Sequence, residues 1–481
     1  MAHIYTHGTG VELDPYQIWT WEDFVGIGDY TGVFYKLMQN LNAQNIAHYA
    51  DPDNYTAWTA DDGFPLIAEF VDNVLDGNSK TISNFSLNRP DEDLVAPIQY
   101  MYKLRADTKI HDLTISGAFV STYGYGSPLI AFAYQPCVLE NITIPGCTVK
   151  GGNRMAGLIG QTEWYPGDPA GFIDITNCHV VNMNVEGAGF GGLVYLGETC
   201  RIYQCSVEAD IVLVEPTIGT VGYVGGMIAE CFDSNSAEQC FVDMSVTDAD
   251  LEAGAVCIGG IYGYAGVPLS ADVASAILDC YVFAQLANAP LGGGLIGQGL
   301  KAGQTEPSSV ATSSYSANTV TAQTDYNGAV GTPFEAGQAV KCYYNSDLAT
   351  PTADDGSLPL TSAEMQVQAN FTDWDFDTVW GIDPLYQNGW PHFKWQHTPV
   401  VITDPVDPKL LIRYRNDGKP DWSNYREVSL GKLGDTEIFK RIVGLGCYRN
   451  RQYEIVCTSG VPLTITGLEE DAKMGGNRGG Q

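Results

Sequence analysis

Between residues 156 and 297 the chain alternates apolar and polar positions in short runs that stop at glycine pairs. Runs such as Val180-Val-Asn-Met-Asn-Val185 and Phe241-Val-Asp-Met-Ser-Val246 are rich in β-branched residues at a period near two, which predicts strands. The glycine pairs recur as Ala156-Gly-Leu-Ile-Gly160, Gly191-Gly-Leu-Val-Tyr195, Gly225-Gly-Met-Ile-Ala229, Gly259-Gly-Ile-Tyr-Gly263 and Gly293-Gly-Leu-Ile-Gly297, with starts 35, 34, 34 and 34 residues apart. Most units add a polar residue followed by cysteine: Asn177-Cys-His-Val180, Gln204-Cys-Ser-Val207, Gln239-Cys-Phe-Val242, Asp279-Cys-Tyr-Val282, and a degenerate Lys341-Cys-Tyr-Tyr344. A fixed period of this size marks stacked units that cannot bury their apolar face alone. Helical 34-residue repeats are excluded by the missing 3.6 period and the abundance of Gly and Val. The expected fold is all-β: a right-handed parallel β-helix, each turn adding ~4.8 Å along the axis. Glycine is expected at its corners and the cysteines in an inward ladder.

The same reading divides the chain. Residues 1–110 are an N-terminal cap and first irregular turns, 111–345 the β-helix repeats, and 346–398 a closing segment. Within the cap, Thr20-Trp-Glu-Asp23 resembles a capping box with Asp in place of Glu, opening a short amphipathic stretch through Tyr35-Lys-Leu-Met38. Residues 298–340, rich in Ser, Thr, Gly and Ala, read as loop or irregular turns. The Pro-punctuated run 399–408 reads as an extended linker. Beyond it, Leu410–Tyr414, Arg426–Leu430, Gln452–Val456 and Pro462–Thr466 read as strands of a small β-sandwich over 409–470, followed by a flexible tail, 471–481.

Charge sharpens that division. The 481-residue chain carries 24 Lys/Arg against 57 Asp/Glu, a formal net charge of −33. Residues 1–407 hold 12 basic against 48 acidic groups (net −36), and residues 408–481 hold 12 against 9 (net +3). Such an acidic body argues against nucleic-acid or anionic-membrane binding, since phosphate tracking requires Lys and Arg. No run approaches 18 apolar residues, so no transmembrane helix is expected. The start Met1-Ala-His-Ile-Tyr-Thr-His7 lacks a cationic segment before an apolar one, so no secretory signal peptide is expected.

The glycine-pair repeat resembles the GLUG motif of bacterial surface and phage proteins. Leu360-Thr-Ser-Ala-Glu-Met365, Trp374-Asp-Phe-Asp-Thr-Val-Trp-Gly-Ile-Asp383 and Asn388-Gly-Trp-Pro-His-Phe393 are similar to the segment that ends GLUG-type β-helices, where Tyr is usual at the place of Trp390. Trp19-Thr-Trp-Glu-Asp-Phe24 with Tyr35-Lys-Leu-Met38 resembles that family's start, so the likeness covers roughly residues 16–395. A second resemblance, over about 60 residues, rests on Arg413-Tyr-Arg-Asn-Asp-Gly418, Trp422-Ser423, Val428-Ser-Leu-Gly431, Gly434, Arg441, Leu445-Gly446 and Tyr453-Glu-Ile455. These resemble the end of phage tail proteins, including tail-hub or packaged-DNA stabilisation proteins of short-tailed phages. The chain departs from that pattern with Pro420-Asp421 before Trp422 and with Cys447 near a usually basic position.

Candidate chemistry is sparse. The twelve cysteines show no two-residue zinc-knuckle gap, although Cys447 and Cys457 flank one expected hairpin and could bond there. Acid pairs (Asp51/Asp53, Asp61-Asp62, Glu469-Glu470) and the strand acids Asp174, Glu186, Glu208 and Asp243 read as solvated surface charge. The seven histidines, His3, His7, His48, His111, His179, His392 and His397, show no triad or paired metal spacing. Trp374, Trp380 and Trp390 could stack on sugars but read as core or cap residues. No catalytic, cofactor-binding or metal-ligating residue is assigned, and no cofactor is expected.

The resemblances imply a structural phage virion protein of the tail or fibre apparatus, non-enzymatic and made in the host cytoplasm. Its expected partners are other tail proteins, further copies of itself, and a host-surface glycan or receptor. The competing expectations are a bacterial surface adhesin and a capsule-polysaccharide depolymerase on a β-helix tail spike.

Overall fold

The computed structural model describes residues 2–45, 63–104, 108–134, 136–163, 171–214, 222–232, 234–248, 256–266, 275–287, 291–298, 309–321, 325–334, 337–384, 386–396, 409–416, 422–423, 426–429 and 450–457. They fall into two units, 1–396 and 397–481. The first is a parallel β-helix. One turn runs through strands Ile173–Thr176, His179–Gly187, Phe190–Gly191 and Val194–Glu198, and the next through Cys200–Tyr203, Ser206–Leu213, Gly222–Gly225 and Ile228–Phe232. Successive turns pair in parallel: Ile173 with Cys200, His179 with Ser206, Gly191 with Gly225, Val194 with Ile228. Among the described residues the first two strands of each turn build a broad sheet of 23 strands (sheet I), while the third and fourth build two eight-stranded sheets (II and III). Eight rungs span seven spacings, or about 34 Å.

The glycine pair does not make corners by unusual dihedrals: Gly191, Gly192, Gly225, Gly226, Gly259 and Gly260 all lie outside the left-handed region. They are glycine because backbone meets backbone. At the turn from sheet II to sheet III two consecutive N–H groups donate to one carbonyl of the next turn. Leu193 and Val194 donate to Met227 O (both 3.0 Å), Met227 and Ile228 to Ile261 O (2.9 and 3.1 Å), Ile261 and Tyr262 to Leu295 O (2.8 and 3.1 Å). A Cβ on Gly226 would fall inside van der Waals contact with the Gly260 carbonyl and the Val242 methyls, and one on Gly192 would meet the Gly226 carbonyl.

The left-handed corner lies instead at the polar residue before cysteine and at its counterparts in the other turns. Asp112, Asn141, Asn177, Gln204, Gln239, Asp279, Ser313 and Lys341 all take φ between 49° and 56°. This region suits Asn and Asp better than other non-glycine residues. Stacked side chains offset its cost: Asn141 Nδ2 donates to Asp112 Oδ1, Asn177 Nδ2 to Asn141 Oδ1 (both 2.8 Å), and Gln204 Nε2 to Gln239 Oε1 (3.0 Å). The following residue points inward, forming the expected ladder Cys178, Cys205, Cys240, Cys280 and Cys342, with Ser314 before Cys342 and Leu113 and Ile142 before Cys178; Cys147 stacks on Ala118 in a neighbouring column. Cys178 N donates to Cys205 Sγ (3.3 Å), and Cys280 N to Ser314 Oγ (2.9 Å). All ten described cysteines are free and buried. Burial raises the Cys147 thiol to about 11 and Cys257 to about 12, so both stay protonated and unreactive at neutral pH.

Both ends are closed. At the N-terminal end the capping box forms: Thr20 Oγ1 accepts from Asp23 N (3.1 Å) and Asp23 Oδ2 from Thr20 N (2.9 Å). It opens a five-residue helix, α1 (Trp21–Val25), whose Trp21 and Phe24 pack on buried Phe64. The stretch at Tyr35 is strand rather than a continuation of the helix: Phe34–Leu37 pairs in parallel with Val74–Asp76. At the other end Asp355 Oδ2 accepts from Ala329 N and Val330 N (both 2.6 Å), replacing the next-turn carbonyl that would otherwise take both.

Two expectations gain detail. Residues 298–340, expected as loop or irregular turns within the repeats, continue the rungs in their described parts, with Ser275 pairing Ser309, Tyr281 pairing Tyr315 and Gly292 pairing Tyr326. Stacking on a formed turn supplies the hydrogen bonds, so these strands need little hydrophobic alternation of their own. The closing segment also lies along the outer flank of sheet I. Its Trp374, Trp380, Trp390 and Phe393 cover a stack of Tyr281, Tyr315 and Tyr343. Tyr315 Oη donates to Pro391 O (2.6 Å), and Trp374 Nε1 to Lys341 O (3.0 Å).

In the second unit Lys409–Asn416 pairs antiparallel with Arg426–Ser429 and with Arg451–Cys457. Arg413 and Arg415 sit over the Trp422 ring at 5.0 and 4.7 Å, and Arg413 also pairs with Glu454. The linker 399–408, the fourth expected strand, the tail and Cys447 lie outside the described residues, as does the Cys457 side chain.

Substituting Gly226→Ala should lower stability by at least ~3 kcal/mol, because the methyl group must displace backbone of the next turn. Asp355→Ala should cost about 3 kcal/mol by leaving two buried N–H groups unpaired. Urea denaturation followed by circular dichroism measures both.

Candidate functional site

The glycine pentapeptide folds sheets II and III against each other, so that its first and fifth residues face across a narrow outer notch. The fifth position is Gly160, Ala229, Gly263 or Gly297 in four copies and Tyr195 in the other. That exception changes the surface. The Tyr195 ring, 2% exposed, lies over Gly189, just before the sheet II strand Phe190–Gly191. It meets Tyr125 edge-on at 6.2 Å, and its hydroxyl lies close enough to Glu230 to act on the carboxyl.

Four tyrosines and an arginine surround Glu230. Strand register places Glu230 between Leu196 and Tyr264 on the outer face of sheet III. Tyr264 stacks on Tyr223 of sheet II with centroids 5.0 Å apart. The exposed Arg154 holds its guanidinium 4.8 Å above the Tyr125 ring. Burial raises the Glu230 carboxyl above its ordinary range, against the opposing pull of the Tyr195 hydrogen bond and the Arg154 charge. Burial also pushes Tyr125 up to about 12, so its hydroxyl stays a donor. Tyr223 and Tyr264 are raised by burial and then by the Glu230 charge. The notch therefore gathers four aromatic rings, one carboxyl and one guanidinium.

The other candidates resolve differently. Asp174 and Glu186 are ion-paired with Arg201 (2.6 Å) and Lys150 (2.8 Å), as ordinary surface charge. Glu208 and Asp243 are not isolated acids, because in-register stacking puts them on adjacent turns. Burial, then Asp243, raises Glu208. Asp243 keeps an exposed edge, but crowding by its surroundings, then the Asp210 charge, raises it as well. Trp374, Trp380 and Trp390 are buried in the closing segment and offer no sugar platform; Trp380 Nε1 is donated to Asp279 (3.2 Å). Ligand atoms of Asp76, His111 and Asp112 lie within 4.8 Å of one another. They already have partners: Asp76 pairs with Lys36 (2.7 Å), and Asp112 accepts from His111 and Asn141 (both 2.8 Å). His179 bridges Ser206 (2.8 Å) and Asn177 (2.9 Å) within the flank. Asp51, Asp53, Asp61, Asp62, Glu469, Glu470, His48 and His397 lie outside the described residues. The sequence signal for the notch was present in one letter, Tyr195 where the repeat has Gly or Ala.

Comparison with known proteins adds little to this geometry. No family model matches the chain. It is 30% identical over 172 residues to halomucin of Haloquadratum walsbyi, a match covering 34% of this chain and 2% of halomucin. Among solved structures, an IgA1 protease aligns over 68% of this chain and 21% of that one, at 15% identity and a TM-score of 0.37. The chain thus spans a small part of either protein. The parallel sheets themselves establish the fold.

An acid whose ionisation is raised by folding makes the folded state hold its proton more tightly. Stability is then lost as pH rises from the unfolded carboxyl range through the folded one. Glu230→Gln, which keeps an acceptor for Tyr195, should therefore raise the melting temperature at pH 7 and leave it nearly unchanged near pH 3. Calorimetry across pH 3–8 checks this.

Proposed function

We propose that this protein is a structural component of a phage tail or fibre, assembling with other tail proteins and contributing to host-surface attachment. The observation that carries the reading is an in-register parallel β-helix with a cluster of partly exposed aromatic and charged side chains where one residue departs from the repeat. Such a scaffold presents a binding surface at a fixed position, and assembly of several copies would multiply weak contacts. The resemblance of the C-terminal segment to phage tail proteins supports the same reading. Three residues carrying it, Arg413, Arg415 and Trp422, come together in one cation–aromatic cluster. The reversal from net −36 to net +3 after residue 407 suits a C-terminal unit that docks on acidic protein.

A depolymerase is the second reading, favoured by the Glu208–Asp243 stack, whose one-turn spacing of ~4.8 Å approaches that of retaining glycosidases. Catalysis, however, needs one carboxyl kept protonated and its partner ionised. Here burial shifts both upward. We therefore read the protein as a binder.

Antibody labelling of purified particles in the electron microscope should place the protein on the tail, and its absence from particles would overturn the proposal. A reducing-end assay on capsular polysaccharide should show no release; release abolished by Glu208→Gln would establish the depolymerase instead.

A further inference from the structure

We infer that the Tyr195 notch is a binding site for a neutral glycan, formed by Tyr125, Arg154, Tyr223, Glu230 and Tyr264 and held in shape by Tyr195. The inference deepens the attachment reading, and rests on it for biological role but not for the binding itself.

Three observations select this ligand. The Tyr223–Tyr264 stack and the Tyr125 ring border the notch, and Tyr125 and Tyr223 keep part of their surface exposed. Aromatic faces take the apolar C–H face of a pyranose while leaving its hydroxyl rim free. Beside those rings lie an acceptor, Glu230, in register with Tyr264, and a donor, Arg154, over the Tyr125 ring. A vicinal pair of hydroxyls can donate to one and accept from the other, whereas a purely apolar ligand would displace water from both without replacing its hydrogen bonds. Finally, the acidic body, net −36 over residues 1–407, disfavours an anionic polymer, and Arg154 disfavours a cationic one. A neutral, hydroxyl-rich chain satisfies all three conditions.

Tyr195 is a positioning residue. Its ring is almost wholly covered, so it offers a ligand little surface. Its hydroxyl lies beside Glu230, and its ring packs edge-on against Tyr125 and over Gly189. The outer face of sheet III continues the site along the axis: Phe132 and Tyr100 occupy the same register column as Glu230 and Tyr264, three and four turns from Glu230. A linear oligosaccharide could run along this column.

The test is titration of the full chain with maltoheptaose, cellopentaose, xylohexaose and N-acetylchitopentaose, followed by tyrosine and tryptophan fluorescence and by calorimetry. Saturable binding to at least one is expected. Tyr223→Ala and Glu230→Gln should each weaken it about tenfold or more, the effect of losing one stacking face or one charged hydrogen bond. Tyr195→Phe should weaken binding and change its dependence on pH, a readout that a purely structural ring would not move. Should Tyr223→Ala fail to fold, the exposed Arg154→Gln variant carries the same prediction. Absence of binding by the intact chain to all four sugars, or equal binding by folded Tyr223→Ala, Glu230→Gln and Arg154→Gln variants, overturns the inference. A chain that labels phage tails but binds none of the sugars overturns the glycan assignment alone. One that binds a sugar but is missing from particles overturns the tail reading alone.

Discussion

Two adjacent N–H groups sharing one carbonyl of the next turn form the contact on which the β-helix depends. That pairing brings successive chain segments together at the turn from sheet II to sheet III, too close for a Cβ on Gly192, Gly226, Gly260 or Gly294. Once the corner is locked, every other position in the turn is held in register with its copy above and below. The cysteine ladder, the left-handed amide column and the aromatic flank all follow from that register. The same requirement explains the far end, where Asp355 supplies a carboxylate oxygen to the two N–H groups that have no further turn to meet.

Strict stacking has an electrostatic consequence. Like residues at one position become neighbours about one strand spacing apart, so acids placed on an outer column crowd one another. Asp174 and Glu186 avoid the problem through Arg201 and Lys150. Glu208 and Asp243 do not: Glu208 is raised by burial and the Asp243 charge, and Asp243 by burial and the Asp210 charge. Glu230 meets a different situation, in which tyrosine hydroxyl and guanidinium partly compensate burial. Its surroundings thus resemble a recognition site more closely than the stacked pair does.

The closing segment shows how the solenoid controls its long side as well as its ends. The outward residue after each ladder position is His179, Ser206, Phe241, Tyr281, Tyr315 and Tyr343 in successive turns. As this column becomes aromatic toward the C-terminal end, tryptophans of the closing segment cover it. The flank is therefore protein core, whereas sheet III retains exposed polar and aromatic side chains.

The sequence by itself determined the repeat, the strands within it, the inward cysteines, the Thr20–Asp23 capping box and the change in character near residue 400. These are local or periodic signals: β-period alternation, a recurrent small residue, a short hydrogen-bonding motif, a step in charge. It did not reveal why the glycines are there, since a left-handed dihedral and a close backbone approach leave the same letter. It marked the rungs within 298–340 only as irregular turns, because their order comes from hydrogen bonds to the preceding turn. Only the tertiary structure decided that Tyr125, Arg154, Tyr195, Tyr223, Glu230 and Tyr264 share a notch. These residues span 140 positions of sequence, and the stacking of turns, which no local pattern encodes, brings them together.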